Sequence, residues 1–160
     1  MSSRDPVRLT AMTTQTETPA REQIRALLNE RAAAITARDA LRAMAHLSPD
    51  LVSFGLAPPL RYAGDEARDP AGIESWFQTW DGPIGYDIGD PVIEVGGGVA
   101  FCHGLTHMTG TKTDGERVDL WFRSTVGLRQ TAAGWQITHA HDSTPFYMDG
   151  SGLAATDLKP

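Results

Sequence analysis

Two histidines near the end of the chain are the residues whose type and spacing most directly suggest chemistry. His139 and His141 lie in the segment WQITHAHDSTPF, which has the composition of a β-strand. Because successive side chains of a strand point to opposite faces, two residues that lie two positions apart share a face. The paired imidazoles could hold a metal ion, line a polar pocket, or lie on a solvated sheet.

The turns of two predicted hairpins indicate which residues lie beside these histidines. Gly134 in TAAGW and Gly115 in KTDGE each suit the left-handed position of a three-residue loop. Counting back from both loops places Thr125 opposite His141 on one side and His103 on the other. A two-residue turn ending at Gly115 would instead shift the first hairpin by one residue and reverse its face. The other predicted pairs are Thr131–Trp135, Arg129–Ile137, Arg123–Ser143, Lys112–Glu116 and His107–Trp121.

In this register one face of the sheet concentrates polar and aromatic side chains. A tryptophan is a poor choice for plain exposure to solvent, so we predict that this face lines a cavity. The apolar face of the middle strand would then pack on a second subunit and give a homodimer. Catalytic candidates on the polar face are His141, His139 and Arg123, and its substrate-binding candidates are His103, Asp119, Trp121 and Thr125.

Acid–base catalysis is the chemistry that best fits this face. His141 or His139 could act as the base near neutral pH, with Arg123 or Arg31 stabilising an enolate-like anion. Such a site suits an isomerase or cyclase that acts on a carbonyl compound. The alternative is a purely structural cluster in which His139, Asp119 and Arg123 satisfy one another.

A metal centre would need more ligands than this segment supplies. His-x-His occurs in cupin metal sites, but those sites add a Glu a few residues later and a further His, whereas DSTPF follows here. His103 and His141 would lie about 10 Å apart, twice the strand spacing. We therefore predict no metal and no cofactor. Cys102 and His103 lie on opposite strand faces, so Cys102 is predicted to be a small buried hydrophobe.

Helices are predicted before the sheet. The first is a segment of about 18 residues from Pro19, and its stripe passes through Arg31, which either reaches solvent or points into a pocket beneath the helix. Asp39 caps a second helix, and Asp69-Pro70 starts a third in which Trp76 could reach the pocket rim. The apolar stripe residues are Ile24, Leu27, Leu28 and Ile35 in the first helix and Ile73, Trp76, Phe77 and Trp80 in the third.

Four extended segments in series follow the helices and predict an antiparallel meander. Helices followed by a long curved sheet define an α+β fold in which the helices cover one sheet face. We expect the pocket between the sheet and the helices. Residues 1–19 are interpreted as a flexible leader, 20–147 as the folded domain, and 148–160 as a flexible tail.

Composition excludes several classes of function. A chain of 160 residues with a net charge of −6 and no basic run is one domain without a nucleic-acid footprint. No apolar stretch approaches the roughly 20 residues of a membrane span. The single cysteine excludes an intrachain disulfide and favours a cytoplasmic location.

The chain from about residue 20 to 147 resembles the SnoaL-like branch of the nuclear-transport-factor-2-like superfamily, which includes ketosteroid isomerase-like proteins and polyketide cyclases. The resemblance rests on the segments IRALLNERAAAITARD, ALRAMAHLSPDLVSF, DPAGIESWFQTW and VDLWFRSTVGLRQTAAGWQITHAHDSTPF. It implies a curved sheet wrapped by helices into a cone, a small-molecule pocket in that cone, and a dimer.

The resemblance also implies what the chemistry is not. The isomerases use a tyrosine on the first helix, an aspartate base near the end of the first strand and a protonated acid in the sheet. The matching positions hold Arg31, Phe54 or Gly55, and Thr125, so none of the three groups is retained. The resemblance therefore implies that Arg31 faces the cavity. Because none of the three groups is retained, steroid isomerisation by that mechanism is not expected.

Two hypotheses about function follow. The first is an isomerase- or cyclase-like enzyme for a small apolar or carbonyl-containing compound, and the second is a noncatalytic ligand-binding or dimerisation module of the same fold.

Overall fold

A computed structural model describes the backbone of residues 7–160 and the side chains of residues 17–160. The described chain is an α+β fold, with helices on one face of a curved, unclosed, mixed sheet of seven strands. The helices are α1 (Val7–Thr36), α2 (Ala40–Met44), α3 (Gly64–Ala67) and α4 (Pro70–Phe77). The strands are β1 (Leu47–Phe54), β2 (Tyr62–Ala63), β3 (Trp80–Asp87), β4 (Val92–Gly96), β5 (Val99–Lys112), β6 (Arg117–Thr131) and β7 (Gly134–Ser143).

Helix α1 forms the main contact with the sheet. Its buried residues Ile24 and Leu28 share one apolar cluster with Leu128 of β6 and Ile137 of β7. The helix begins at Val7, so Pro19 lies inside it and not at its start. Residues 1–6 of the predicted leader lie outside the described residues, and its flexibility stays a prediction.

Both predicted aspartate caps are confirmed. The Asp39 carboxylate accepts a hydrogen bond from the Arg42 amide at 3.0 Å, and that of Asp69 accepts one from the Ala71 amide at 3.0 Å. Helix α4 ends at Phe77, however, so Trp80 begins β3 and does not continue the helical stripe. It is nevertheless buried, in a second apolar cluster that joins α1, α2, α4 and β3.

The sheet order is β2-β1-β7-β6-β5-β3, and β4 pairs with another part of β5. Consecutive antiparallel pairing is confirmed for β5, β6 and β7, but β3 and β4 both pair with β5. Strand β1 runs parallel to β7, which makes the sheet mixed and not purely antiparallel. These pairings bring the ends of β1 and β7 together.

The predicted register is confirmed around Thr125. This residue pairs with His103 on β5 and with His141 on β7. The pairs His107–Trp121 and Arg123–Ser143 are also present.

Near the β6–β7 turn, by contrast, the predicted pairs were wrong by one residue. Thr131 pairs with Gly134, so the loop contains only two residues, and Ile137 pairs with Leu128. A β-bulge then leaves Thr138 without a strand-pairing partner on β6. It lies between the pairs Leu128–Ile137 and Gly127–His139. The extra residue restores the predicted register for the rest of β7.

The face of the sheet toward α1 is called the inner face here, and the opposite one the outer face. Phe122 and Leu128 on the inner face are only 3% and 2% exposed, because Phe122 packs near Tyr86 and Leu128 packs with Ile24 of α1. The expectation that this apolar face packs on a second subunit is thus corrected. The helices already cover it.

The end of the chain, predicted to be a flexible tail, folds back in the structure. Phe146 forms an isolated bridge with Ala154, and the Ala155 amide donates to the Pro145 carbonyl at 2.7 Å. Ala155 is 3% exposed. The terminal segment then reaches the outer face, where the Lys159 ammonium contacts an Asp119 carboxylate oxygen at 2.8 Å.

Gly110 is a position where the fold needs the absence of a side chain. Its φ is +151°, and an added Cβ would lie 2.8 Å from Cζ3 of the buried Trp80 and 3.0 Å from the Pro83 carbonyl oxygen. We expect Gly110→Ala to lower the free energy of unfolding by about 1–3 kcal/mol through overpacking. Urea unfolding of the variant measures this loss.

Gly55→Ala is the matched control, since no atom lies within 4 Å of its added Cβ. Equal unfolding midpoints for the two variants would show that the contact of Gly110 with Trp80 is not tight.

Candidate functional site

A small cavity lies between α1 and the inner face of the sheet, with a volume of about 90 Å³. Residues from α1, the end of β1, β3, β5, β6 and β7 contribute to its walls. The apolar part of the wall consists of Leu28, Ala32, Ile88, Pro91, Cys102, Val126 and Ala140, and the polar part of Arg31, Ser53, Tyr86, Thr106, Ser124 and Asp142.

A chain of hydroxyl groups holds the Asp142 carboxyl in the cavity wall. The hydroxyl of Thr106, a residue that is 2% exposed, donates to the Ser124 hydroxyl at 3.1 Å. The Ser124 hydroxyl in turn donates to Oδ1 of Asp142. Neighbouring positions on β5, β6 and β7 supply the three groups, so pairing of the strands fixes the orientation of the carboxyl.

The pKa of the Asp142 carboxyl is raised above its ordinary value, chiefly because burial disfavours the charged form. The Ser124 hydrogen bond and the charges of Arg31 and His141 act in the opposite direction, but burial outweighs them. A carboxyl whose pKa moves toward neutrality is suited to both accepting and returning a proton.

Tyr86 and Arg31 are the other ionisable groups of the cavity. Burial and the nearby Asp142 raise the pKa of the Tyr86 phenol to about 12, while the charge and hydrogen bond of Arg31 lower it in part. Tyr86 therefore stays protonated near neutral pH and can donate a hydrogen bond. The Nε atom of Arg31 is buried without a hydrogen-bond partner.

Of the residues predicted from the sequence to form the site, Arg31 faces the cavity. His103 also borders it, but the residue is exposed and its ring stacks on Phe101 with centroids 5.9 Å apart. The other predicted residues lie on the outer face or outside the cavity. This corrects the predicted face of the pocket, although whether these residues take part in chemistry stays a prediction.

His139 and His141 lie on one side of β7, as predicted, and they pack around Phe54 of the neighbouring strand. The Phe54 ring lies edge-on to both imidazoles, with centroid distances of 5.0 and 5.5 Å. Nδ1 of His139 lies 2.9 Å from the Val52 carbonyl oxygen. His141 borders a separate open hollow of about 880 Å³, whose wall also includes Asp142.

The remaining predicted residues lie outside the wall of this cavity. Trp121 stacks on His107 at 4.3 Å, and His107 is 2.6 Å from an Asp119 carboxylate oxygen. Trp76 packs against Trp80 at 5.6 Å, away from the cavity wall. Arg123 and Thr125 are exposed. Stacking and ion pairing thus explain why an aromatic, polar face occurs on the outside.

Sequence reasoning did not identify Asp142, Tyr86, Ser124 and Thr106. Alternation gave no signal for Asp142, because strict alternation from the buried Trp135 and Ile137 would put it on the outer face. Only the bulge at Thr138 brings its carboxyl to the cavity.

Among the residues that the structure describes, no cluster of three or more His, Cys, Asp or Glu side chains could hold a metal ion. No helix in the same range is long and apolar enough to cross a membrane.

Comparison with known proteins identifies the family. Residues 24–147 match the SnoaL-like domain, and because this match covers most of the chain, the protein belongs to that family. A comparison with curated proteins found no match.

Solved structures with the same fold agree with this assignment. A nuclear-transport-factor-2-like protein of unknown function from Pseudomonas putida is 29% identical, with a TM-score of 0.79 over 89% of this chain and 98% of that one. A protein of the nuclear-transport-factor-2-like superfamily from Salmonella enterica is 19% identical, with a TM-score of 0.71 over 86% of this chain and 99% of that one. A ketosteroid isomerase-like protein from Erwinia carotovora is 23% identical, with a TM-score of 0.63 over 76% and 93%.

The raised pKa of Asp142 predicts a pH dependence of stability. Between the unfolded pKa and the higher folded pKa, the native state binds more protons than the unfolded state, so stability falls as pH rises through this window. Asp142→Asn removes the titrating group and should lack this fall. Its stability relative to the natural chain should therefore rise with pH above the ordinary Asp value of 3.8.

Thermal melting of both chains between about pH 3 and pH 8 measures the difference, which cancels the titration of all shared groups. A difference that is independent of pH would mean that Asp142 titrates normally.

Proposed function

We propose that the protein is an enzyme that moves a proton on a small carbonyl compound, as isomerases and cyclases do, in the cavity beneath α1. The observation that carries this proposal is the hydroxyl-held Asp142 carboxyl, which shares a small, largely apolar cavity with Tyr86 and Arg31. Membership of the SnoaL-like family and a solved neighbour called ketosteroid isomerase-like support the same reaction class.

In this proposal Asp142 is the group that transfers the proton. Its carboxylate removes a proton from the carbon next to the carbonyl, the electrons of that C–H bond form a C=C bond, and the carbonyl electrons move onto oxygen. The Tyr86 hydroxyl donates a hydrogen bond to this enolate oxygen. Where a C=C bond is conjugated with the enolate, the protonated Asp142 returns the proton to the far carbon of that bond while the enolate electrons re-form the carbonyl and shift the C=C bond. This completes an isomerisation without any oxidant or reductant.

The assignment of the base to His141 or His139, with Arg123, is the competing proposal. His141 borders the open hollow beside Asp142, so it is the histidine that a molecule extending from the cavity would meet. His139 instead contacts the Val52 carbonyl and Phe54, which favours a structural role for its ring.

A noncatalytic ligand-binding module is the second candidate function. It is favoured by the unpartnered Arg31 Nε, because such a donor can bind an acceptor on a ligand without any catalysis. Catalysis of proton exchange separates this candidate from the first.

The test follows exchange of α-protons for deuterium in a panel of small neutral ketones by NMR in D₂O. We expect the natural protein to accelerate exchange and Asp142→Asn to lose about 100-fold or more of that rate, the typical contribution of a general base. His141→Gln and His139→Gln are the matched controls and should retain it.

Loss of exchange in His141→Gln with retention in Asp142→Asn would transfer the base to the histidine. No acceleration by the natural protein with any ketone would favour the binding module.

We further propose that the protein is a homodimer that associates through the outer face. Four apolar residues of β4 and β5 are exposed there in the single chain: Val92, Val99, Phe101 and Leu105. Their exposed fractions lie between 42% and 56%, and contiguous exposed apolar surface is typical of an interface.

Light scattering at micromolar concentration should therefore give twice the monomer mass. Phe101→Lys should shift the protein toward monomer, because it buries a charge in the interface. Leu41→Lys is the control, since Leu41 is 72% exposed on α2. A monomer in the natural protein, or a dimer that tolerates Phe101→Lys, would contradict the proposal.

A further inference from the structure

Arg31 is a cation in the cavity wall that lacks an anionic partner. Its Nε is buried without a hydrogen-bond partner, and within residues 17–160 no carboxylate forms an ion pair with its guanidinium. Other described arginines also lack an ion pair, but most of them, such as Arg42 and Arg123, are exposed to solvent. Arg38 donates instead to the Trp80 carbonyl at 3.3 Å. A buried N–H donor without a hydrogen-bond partner is costly, so its retention calls for an explanation.

Asp142 forms no ion pair with this cation. The two side chains influence each other electrostatically, but the carboxyl receives its hydrogen bond from Ser124 and makes no ion pair with Arg31. Tyr86 cannot neutralise it either, because its phenol stays protonated. When Asp142 is protonated, the cavity therefore contains the positive charge of Arg31 and two neutral groups, the Asp142 carboxyl and the Tyr86 phenol.

The free edge of a guanidinium selects a particular anion. Nε and a terminal nitrogen form a planar fork that matches the two oxygens of a carboxylate. The cavity volume of about 90 Å³ is small, which favours a ligand of few atoms. Its apolar walls, formed by residues such as Leu28 and Val126, suit a short carbon chain.

We propose that the substrate is a short carboxylic acid that also carries a carbonyl group, and that Arg31 binds its carboxylate. This inference rests on the proposed function, in which Tyr86 donates a hydrogen bond to the carbonyl oxygen and Asp142 removes the proton from the neighbouring carbon. The Nε edge of Arg31 is the carboxylate subsite, and it determines specificity for an acid over a neutral ketone.

The test compares 3-oxobutanoate with 3-oxobutanamide, a neutral probe of nearly the same shape. Calorimetric titration at neutral pH should give the acid at least a tenfold lower Kd than the amide. Arg31→Gln should reduce that preference to less than threefold. Arg31→Lys keeps the charge but not the fork, so it should give an intermediate preference. Arg42→Gln is the control on an exposed residue of α2 and should leave the preference unchanged.

A second readout is made on the natural protein. The Arg31 Nε–H resonance in a ¹H–¹⁵N spectrum of the natural protein should shift when 3-oxobutanoate is added and stay in place with 3-oxobutanamide. Its assignment comes from its absence in the Arg31→Lys spectrum.

Equal binding of the two probes, binding of neither, or an unchanged preference in Arg31→Gln would each overturn the carboxylate subsite. These failures are distinct from failure of the proposed function, because α-proton exchange is tested on neutral ketones and depends on Asp142. Asp142→Asn should abolish exchange and still prefer the acid.

Discussion

The packing of α1 across the inner face of the sheet is the contact on which both the core and the cavity depend. Ile24 and Leu28 of the helix join Leu128 and Ile137 in one apolar cluster, and burial of such side chains supplies about 1.5–3 kcal/mol each. About one turn beyond Leu28 the same side of the helix presents Arg31. A cation cannot continue the apolar contact, so the helix and the sheet enclose a cavity at that point.

The composition of the cavity gives its ionisable groups properties that they would not have at the surface. Burial raises the pKa of both Asp142 and Tyr86, and each shift favours a neutral, hydrogen-bonding form. On the outer face the Asp119 carboxylate is exposed, and its contacts with Lys159 and His107 hold its pKa below the ordinary value. The same residue type therefore favours its protonated form in one location and forms an ion pair in the other.

Much of the fold could be predicted from the sequence, because its signals are local. The caps at Asp39 and Asp69 and the register around Thr125 follow from turn residues and alternation, and the structure confirms them. The parallel contact between β1 and β7 could not be predicted in this way. It joins segments that are distant in sequence, and neither segment carries a signal that specifies its partner.

The location of the site was harder to predict, because composition is ambiguous about which face is buried. Polar and aromatic residues were interpreted as a cavity lining, yet Trp121 and His107 stack on each other at the surface. Small hydroxyl residues such as Thr106 and Ser124 were not predicted as site residues, because they lie on an otherwise apolar face. They matter there because a buried carboxyl needs donors, and only neighbouring strands can supply them.

The β-bulge at Thr138 decides which ionisable groups of β7 enter the cavity. Trp135 and Ile137 are buried on the inner face, so strict alternation would send His139 and His141 inward and Asp142 outward. One extra residue reverses the alternation beyond the bulge. Gly127 lies opposite, and even an added Cβ there would approach the His139 Cβ to 3.4 Å. The ionisable groups of the cavity are therefore determined in part by a backbone irregularity, since that irregularity places a carboxyl, and not an imidazole, in the same cavity wall as Arg31.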